Sequence, residues 1–161
     1  MEKFLRVFLR LTVVIMSFFF GGKAVEFGES VLHQLVPPFD FSSIEGASWA
    51  DKVAIIDSYI ASHWFAFPSV VLGHALAPFI SILIFVLLNR LLHSFLPEKP
   101  SVFRQSLIII SVWLIIDLVM ALVFVPVGPL LAFVDAATSF LFGILAYYIA
   151  ASKRKTVDSN I

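Results

Sequence analysis

The chain contains no cysteine, which excludes disulfides, thiolate metal sites and cysteine nucleophiles. Charge is scarce as well: Asp, Glu, Lys and Arg make up 14% of 161 residues, and 11 basic against 11 acidic side chains leave a formal net charge of zero. No global field is available to gather nucleic acid or an acidic substrate. Gly-rich phosphate loops, nucleophile elbows and dinucleotide fingerprints are missing too. What fills the chain is apolar. Hydrophobic residues make up 60% of it, 18 of them phenylalanine, and mean hydropathy is +1.01, against roughly half apolar in soluble domains. Such a composition fits a bilayer rather than water.

A helix crossing a hydrocarbon core of about 30 Å needs about 20 mostly apolar residues. Four stretches qualify, at about residues 4–22, 65–88, 107–125 and 130–151. Pro126-Val127-Gly128-Pro129 separates the last two and cannot continue a helix, so these spans must form a tight antiparallel hairpin. Lys3, Arg6 and Arg10 open the first span. Arg90, Lys99 and Arg104 lie between the second and third, and Lys153, Arg154 and Lys155 follow the fourth. The connection between the first two spans carries Lys23 and Lys52 against Glu26, Glu29, Asp40, Glu45, Asp51 and Asp57. The positive-inside rule then places both termini in the cytoplasm and the long connection, residues 23–64, outside. Residues 1–161 read as a single integral membrane domain, an all-α bundle of four transmembrane helices. A competing reading starts from the basic residues, the apolar core 11–20 and the triplet Gly22-Lys23-Ala24, which together resemble a cleavable signal peptide.

In the outer connection, Lys23, Glu26, Glu29 and His33 recur at helical spacing, which predicts that the first helix continues until Pro37-Pro38 stops it. Lys23 and Glu26 are expected to form a solvated pair. Ser42 followed by Glu45 matches a capping box, and Trp49, Val53, Ile56 and Ile60 then recur at helical spacing. The pattern predicts a short amphipathic helix on the outer membrane face, with Trp49 and Tyr59 at headgroup level.

Three ionisable side chains fall inside the spans: His74, Asp117 and Asp135. Placing such groups in hydrocarbon is expensive, so each is a functional candidate. At about 1.5 Å per residue they lie about 13, 12 and 9 Å from the outer ends of their helices, at similar depth. Small residues recur beside them: Ser69, Gly73, Ala77 and Ser81 on the second span, and Ala132, Ala136, Ser139, Gly143, Ala146 and Ala150 on the fourth. Stripes of this kind let membrane helices approach closely, so His74 and Asp135 are expected to face the bundle. The trio can act as polar glue between helices or as a site for protons or a small ligand. Pro68 and Pro78 free backbone carbonyls near His74. His33, His63 and His74 show none of the spacings that hold a metal, and no metal or other cofactor is expected.

Pro37-Pro38-Phe39-Asp40, the acidic helix, His63-Trp64-Phe65-Ala66-Phe67-Pro68, Gly73-His74-Ala75-Leu76 and the aspartate early in the last span together resemble a group of small, uncharacterised bacterial four-helix inner-membrane proteins. The likeness covers about two fifths of the chain. It implies a bacterial inner membrane and singles out His63, His74 and Asp135, without conferring an activity. Ala77-Pro78 stands where the group has glycine and a small residue, which predicts looser packing there.

The favoured functional expectation is a non-enzymatic accessory or assembly component acting through partners or lipids, because no catalytic constellation and no large soluble domain is present. The alternative is a small carrier or proton-coupled protein built on His74, Asp117 and Asp135, with His63, Glu26 and Glu29 as secondary candidates. Expected partners are the lipid bilayer and either another protein or further copies of the chain, since four helices enclose little volume. Nucleic acid is not among them.

Overall fold

The structure, a computed structural model, describes residues 2–35, 39–63, 66–92, 101–124 and 127–152. Pro37-Pro38, Trp64-Phe65, Lys99, Pro126 and Lys153-Arg154-Lys155 lie outside the described residues, as do the side chains of His33, Phe67 and Ser69. Five α-helices follow in order: α1 (Glu2–Leu35), α2 (Trp49–Ser62), α3 (Ala66–Leu91), α4 (Val102–Val119) and α5 (Pro129–Ser152). A 3-10 turn, Phe41–Ile44, precedes α2, and a π turn, Met120–Phe124, follows α4. Among the described residues there is no strand. α1, α3, α4 and α5 are each long and apolar enough to cross a membrane, which makes the chain a multi-pass membrane protein.

α3 is the centre. It packs against α1, α4 and α5, and α4 also packs against α5 as the proline-glycine link requires. Lipid offers helices no hydrophobic reason to associate, so close backbone approach has to supply the contact. The smallest residues of α3 provide it: Ala75, Ala77 and Ser81 are buried, as are Ser139, Gly143, Ala146 and Ala150 on α5. At the waist, a side chain on Gly21 of α1 would begin 2.0 Å from Ser81 Oγ and 2.8 Å from the Ala77 carbonyl. On the other side, one on Gly143 would meet Ile110 at 2.7 Å and Pro78 Cβ at 3.5 Å. Packing at Ala77-Pro78 is therefore tight, contrary to the expectation of a looser contact. The missing small residues are supplied by the facing helices, as Gly21 and Gly143.

Trp113 of α4 donates from Nε1 to Ser81 Oγ at 2.9 Å in this buried waist, and its ring lies against Phe18 of α1 with centroids 5.6 Å apart. At the other end of the bundle, Arg90 donates to the carbonyl of Ala151 at 3.0 Å, closing the last turn of α5 with a positive charge.

α1 runs 34 residues, about 51 Å, so it outreaches a hydrocarbon core. Gly22-Lys23-Ala24 lies within it, uninterrupted, and the expected Lys23–Glu26 pair forms on its exposed surface. The capping box falls elsewhere than expected. Asp40, not Ser42, caps the turn before α2: its Oδ1 accepts from Ser42 N at 3.0 Å and from Ser42 Oγ at 2.7 Å. Glu45 ends that turn, and Gly46 takes the positive φ of +79° that the reversal demands. α2 is capped by Ser48, whose hydroxyl accepts from Asp51 N at 3.3 Å and donates to Asp51 Oδ2 at 2.6 Å. The Ser-x-x-acid spacing occurs twice, and the copy adjoining the apolar periodicity is the one that starts the helix. α2 buries Ile56 and leaves Trp49 exposed.

Two outcomes test this account. Gly21→Ala should lower stability in detergent by about 1–3 kcal/mol through overpacking. Gly22→Ala, which meets nothing within 4 Å, should leave it equal or slightly raised; thermal unfolding of both variants reads the difference. The second concerns Asp40, whose carboxyl the Ser42 hydroxyl, and then the Ser42 backbone N–H, hold below the usual 3.8. A carboxyl lowered on folding stabilises above its unfolded value, and that contribution disappears as pH falls through the lowered one. An NMR titration should place the Asp40 midpoint below 3.8, and Ser42→Ala should move it part of the way back.

Candidate functional site

The three intramembrane candidates come together at the end of the bundle that carries α2 and the α4–α5 link. His74 reaches from the first third of α3 to Asp135, two turns into α5, and its Nδ1 lies 2.8 Å from Asp135 Oδ2. With Asp135 as a carboxylate, which only accepts, Nδ1 is the donor of this bond. Their side chains are 35% and 17% exposed, so this bond joins two helices where water is limited. Asp117, near the end of α4, shares one cavity of about 90 Å³ with them. Ile60, Val70, Val71, Met120 and Leu131 make its apolar wall.

The polar atoms around this cavity are not all satisfied. Asp135 spends Oδ2 on His74, while its Oδ1 is buried without a partner, as is Asp117 Oδ2. Ser139, one turn beyond Asp135, is fully buried. Several hydroxyls on these helices bond back to the preceding turn: Thr12 to Phe8, Ser111 to Leu107 and Thr138 to Val134 at 2.8–2.9 Å. Ser139 does not. Its hydroxyl has no partner within hydrogen-bond distance, and neither does that of Ser106 on α4. Buried polar groups in folded proteins are nearly always paired, so orphaned oxygens on two residues that line one cavity ask for a reason.

Backbone features add to the site. Pro78 has no N–H, so the carbonyl of His74, four residues earlier, lacks its usual helical donor. α3 nevertheless runs unbroken through Pro78. The π turn that succeeds α4 begins three residues after Asp117, and its Met120 and Ala121 line the cavity; such turns recur at functional sites. α2 contributes one wall residue. Ile60 lies on the cavity, and one turn earlier Asp57 sits on Gly128 at the start of α5, where a glycine Cβ would come within 2.7 Å of Asp57 Oδ2. A carboxylate at a helix N-terminus is favourably placed.

The secondary candidates stand apart. Glu26 is engaged with Lys23 on the exposed face of α1. Glu29 is exposed. His63 ends α2, with Nδ1 3.0 Å from the Tyr59 carbonyl and its ring on Tyr59 at 4.3 Å, and it is not among the cavity residues. Among the described residues no group of three His, Cys, Asp or Glu side chains is placed to hold a metal ion. Sequence reasoning passes over the π turn, whose Met120 and Ala121 line the cavity, and nothing local announces it.

Compared with protein families, with curated proteins and with solved structures, the chain matches none. What the site does has to be argued from its own residues.

The His74–Asp135 bond is expected to behave as a coupled pair. In a cycle of His74→Ala, Asp135→Ala and the double variant, unfolding in detergent should show non-additivity of the size that such bonds have in membranes, about 0.6 kcal/mol and at most about 1.7.

Proposed function

We propose that this protein handles protons across its membrane through His74, Asp135 and Asp117, as a small proton-coupled carrier. The observation that carries the reading is the pairing of one satisfied and two unsatisfied carboxylate positions: His74 holds Asp135 Oδ2, while Asp135 Oδ1 and Asp117 Oδ2 are buried without a partner on residues that line the same cavity. Glue between helices needs the first of these and gains nothing from the others, which cost desolvation. An imidazole hydrogen-bonded to one carboxylate beside a second is a set that takes up and releases protons within the accessible pH range.

The basic residues at Lys3, Arg6, Arg10, Arg90 and Arg104, against the acidic connection between α1 and α3, support termini in the cytoplasm. The cavity then opens toward the extracytoplasmic side, beneath α2. The resemblance to small bacterial four-helix proteins supports a bacterial inner membrane. An accessory role through partners or lipids is the alternative, and it rests on the lack of any catalytic constellation.

In proteoliposomes under an imposed pH gradient, the wild type should dissipate the gradient, and Asp117→Asn should slow the flux about tenfold or more. A wild type that is silent, together with a partner that co-purifies in stoichiometric amount, supports the accessory role instead.

A further inference from the structure

The end of the bundle away from the cavity holds arginines on three neighbouring helices at one depth. Gly21 and Gly28 of α1 face Ser81 and Gly73 of α3 in turn, so these two helices are antiparallel. His74 with Asp135, Pro78 with Gly143 and Arg90 with Ala151 step along α3 and α5 in the same direction. α3 and α5 are thus parallel, and α4, the other arm of the hairpin, runs against both. The helices are in register at the waist, where Ser81 meets Gly21 and Trp113. Arg90 lies nine residues beyond Ser81, Arg104 nine residues before Trp113, and Arg10 eleven before Gly21. At about 1.5 Å per residue, all three stand about 14–17 Å from the waist. Ser81 is central in the apolar span Val70–Leu91, and half a hydrocarbon core is about 15 Å. The arginines are therefore at the depth where one leaflet's headgroups begin. Aromatic rings mark the same boundary. Tyr147, one turn before Ala151, meets Phe103, the neighbour of Arg104, with centroids 5.1 Å apart, and Tyr148 beside it is exposed.

Charge at this end is nearly all of one sign. On the arginine side of the waist the described residues hold Lys3, Arg6, Arg10, Arg90 and Arg104, with Glu2 as the single acid. Arg90 is half-buried and donates to the Ala151 carbonyl, which fixes the guanidinium against the end of α5. A guanidinium has five N–H donors, so that bond leaves donors for a further acceptor. Arg104, level with it on α4, is exposed. Packed helices lie about 8–10 Å apart, a gap across which two arginines can share one anion.

We propose that this end of the bundle binds one acidic phospholipid, its phosphate held by Arg90 and Arg104 and its acyl chains running beside α4 and α5. Guanidinium forks match phosphate oxygens in pairs. A zwitterionic headgroup brings its own ammonium and leaves the positive excess standing, whereas an acidic one offsets it. Topology alone asks for basic residues on one side of the membrane; it asks neither for a common depth nor for a guanidinium tied in place. The site is independent of the proton-handling reading, because His74 lies sixteen residues from Arg90 along α3, about 24 Å.

The test uses the full chain in nanodiscs of phosphatidylcholine, with or without phosphatidylglycerol. Melting temperature is one readout, and lipid retained in native mass spectrometry is the other. Phosphatidylglycerol is expected to raise the melting temperature and to be retained in preference to phosphatidylcholine. Arg104→Gln should weaken retention about tenfold. Arg104→Lys, which keeps the charge and loses the fork, should restore it only in part. Lys3→Gln, which removes the same charge farther out along α1, should leave it unchanged. Equal melting and equal retention of the two lipids overturn the proposal, as does retention that is unaltered in Arg104→Gln. A loss in Lys3→Gln as large as that in Arg104→Gln would make the attraction diffuse, and overturns it too. So would inorganic phosphate that stabilises the protein in phosphatidylcholine as well as phosphatidylglycerol does, since the site would then take a soluble anion. Arg90→Gln should also lose retention; if it does not fold without its bond to α5, Arg104→Gln decides alone.

Discussion

Everything in this bundle depends on how closely other backbones can approach α3. In water, burying apolar area would bring these helices together; in lipid that drive is lost, and contact depends on packing and on a few polar bonds. Ala75, Ala77 and Ser81 remove bulk from α3, and Gly21 and Gly143 remove it from the helices on either side. The resulting waist is narrow enough for Trp113 to reach Ser81 and fasten α4 to α3. Pro78 occupies the same level without loosening it, because the facing residue is Gly143.

The polar site is set by that waist. With α3 held against α5 at Pro78, His74 is one turn away along α3 and Asp135 two turns away along α5 from Gly143, which brings them within hydrogen-bond distance. Beyond that point the helices have polar side chains where the waist has small ones, and the gap that opens between them is the cavity. Ile60 of α2 borders it, and Asp57, one turn earlier, meets Gly128 at the start of α5. The bundle is closed and tightly packed in its middle, and polar and incompletely satisfied at one end. A membrane protein that needed only to hold together could do so with the middle alone.

Much of this is legible in the sequence. The number of spans, the α4–α5 hairpin, the inward face of the small residues and the shared level of His74, Asp117 and Asp135 all follow from periodicity and from counting along helices of known rise. The Lys23–Glu26 pair is equally local. The capping box is not, because Ser42-x-x-Glu45 and Ser48-x-x-Asp51 are equivalent as strings. Which of them opens a helix depends on Asp40 taking the first serine into a turn of its own. The tightness at Ala77-Pro78 is hidden for a similar reason, since a contact between helices has two sides and the local string holds only one of them.

The sequence by itself therefore determined the membrane class, the four spans and the depth of each ionisable group, because hydropathy and helical rise are properties of one segment at a time. Only the tertiary structure decided that His74 meets Asp135, that Asp117 lines the same cavity as both, and that Ile60 of α2 borders it. Those are relations between segments far apart in the chain. They depend on how the helices are rotated about their axes, and that rotation is set by packing the glycines and alanines of one helix against those of the next.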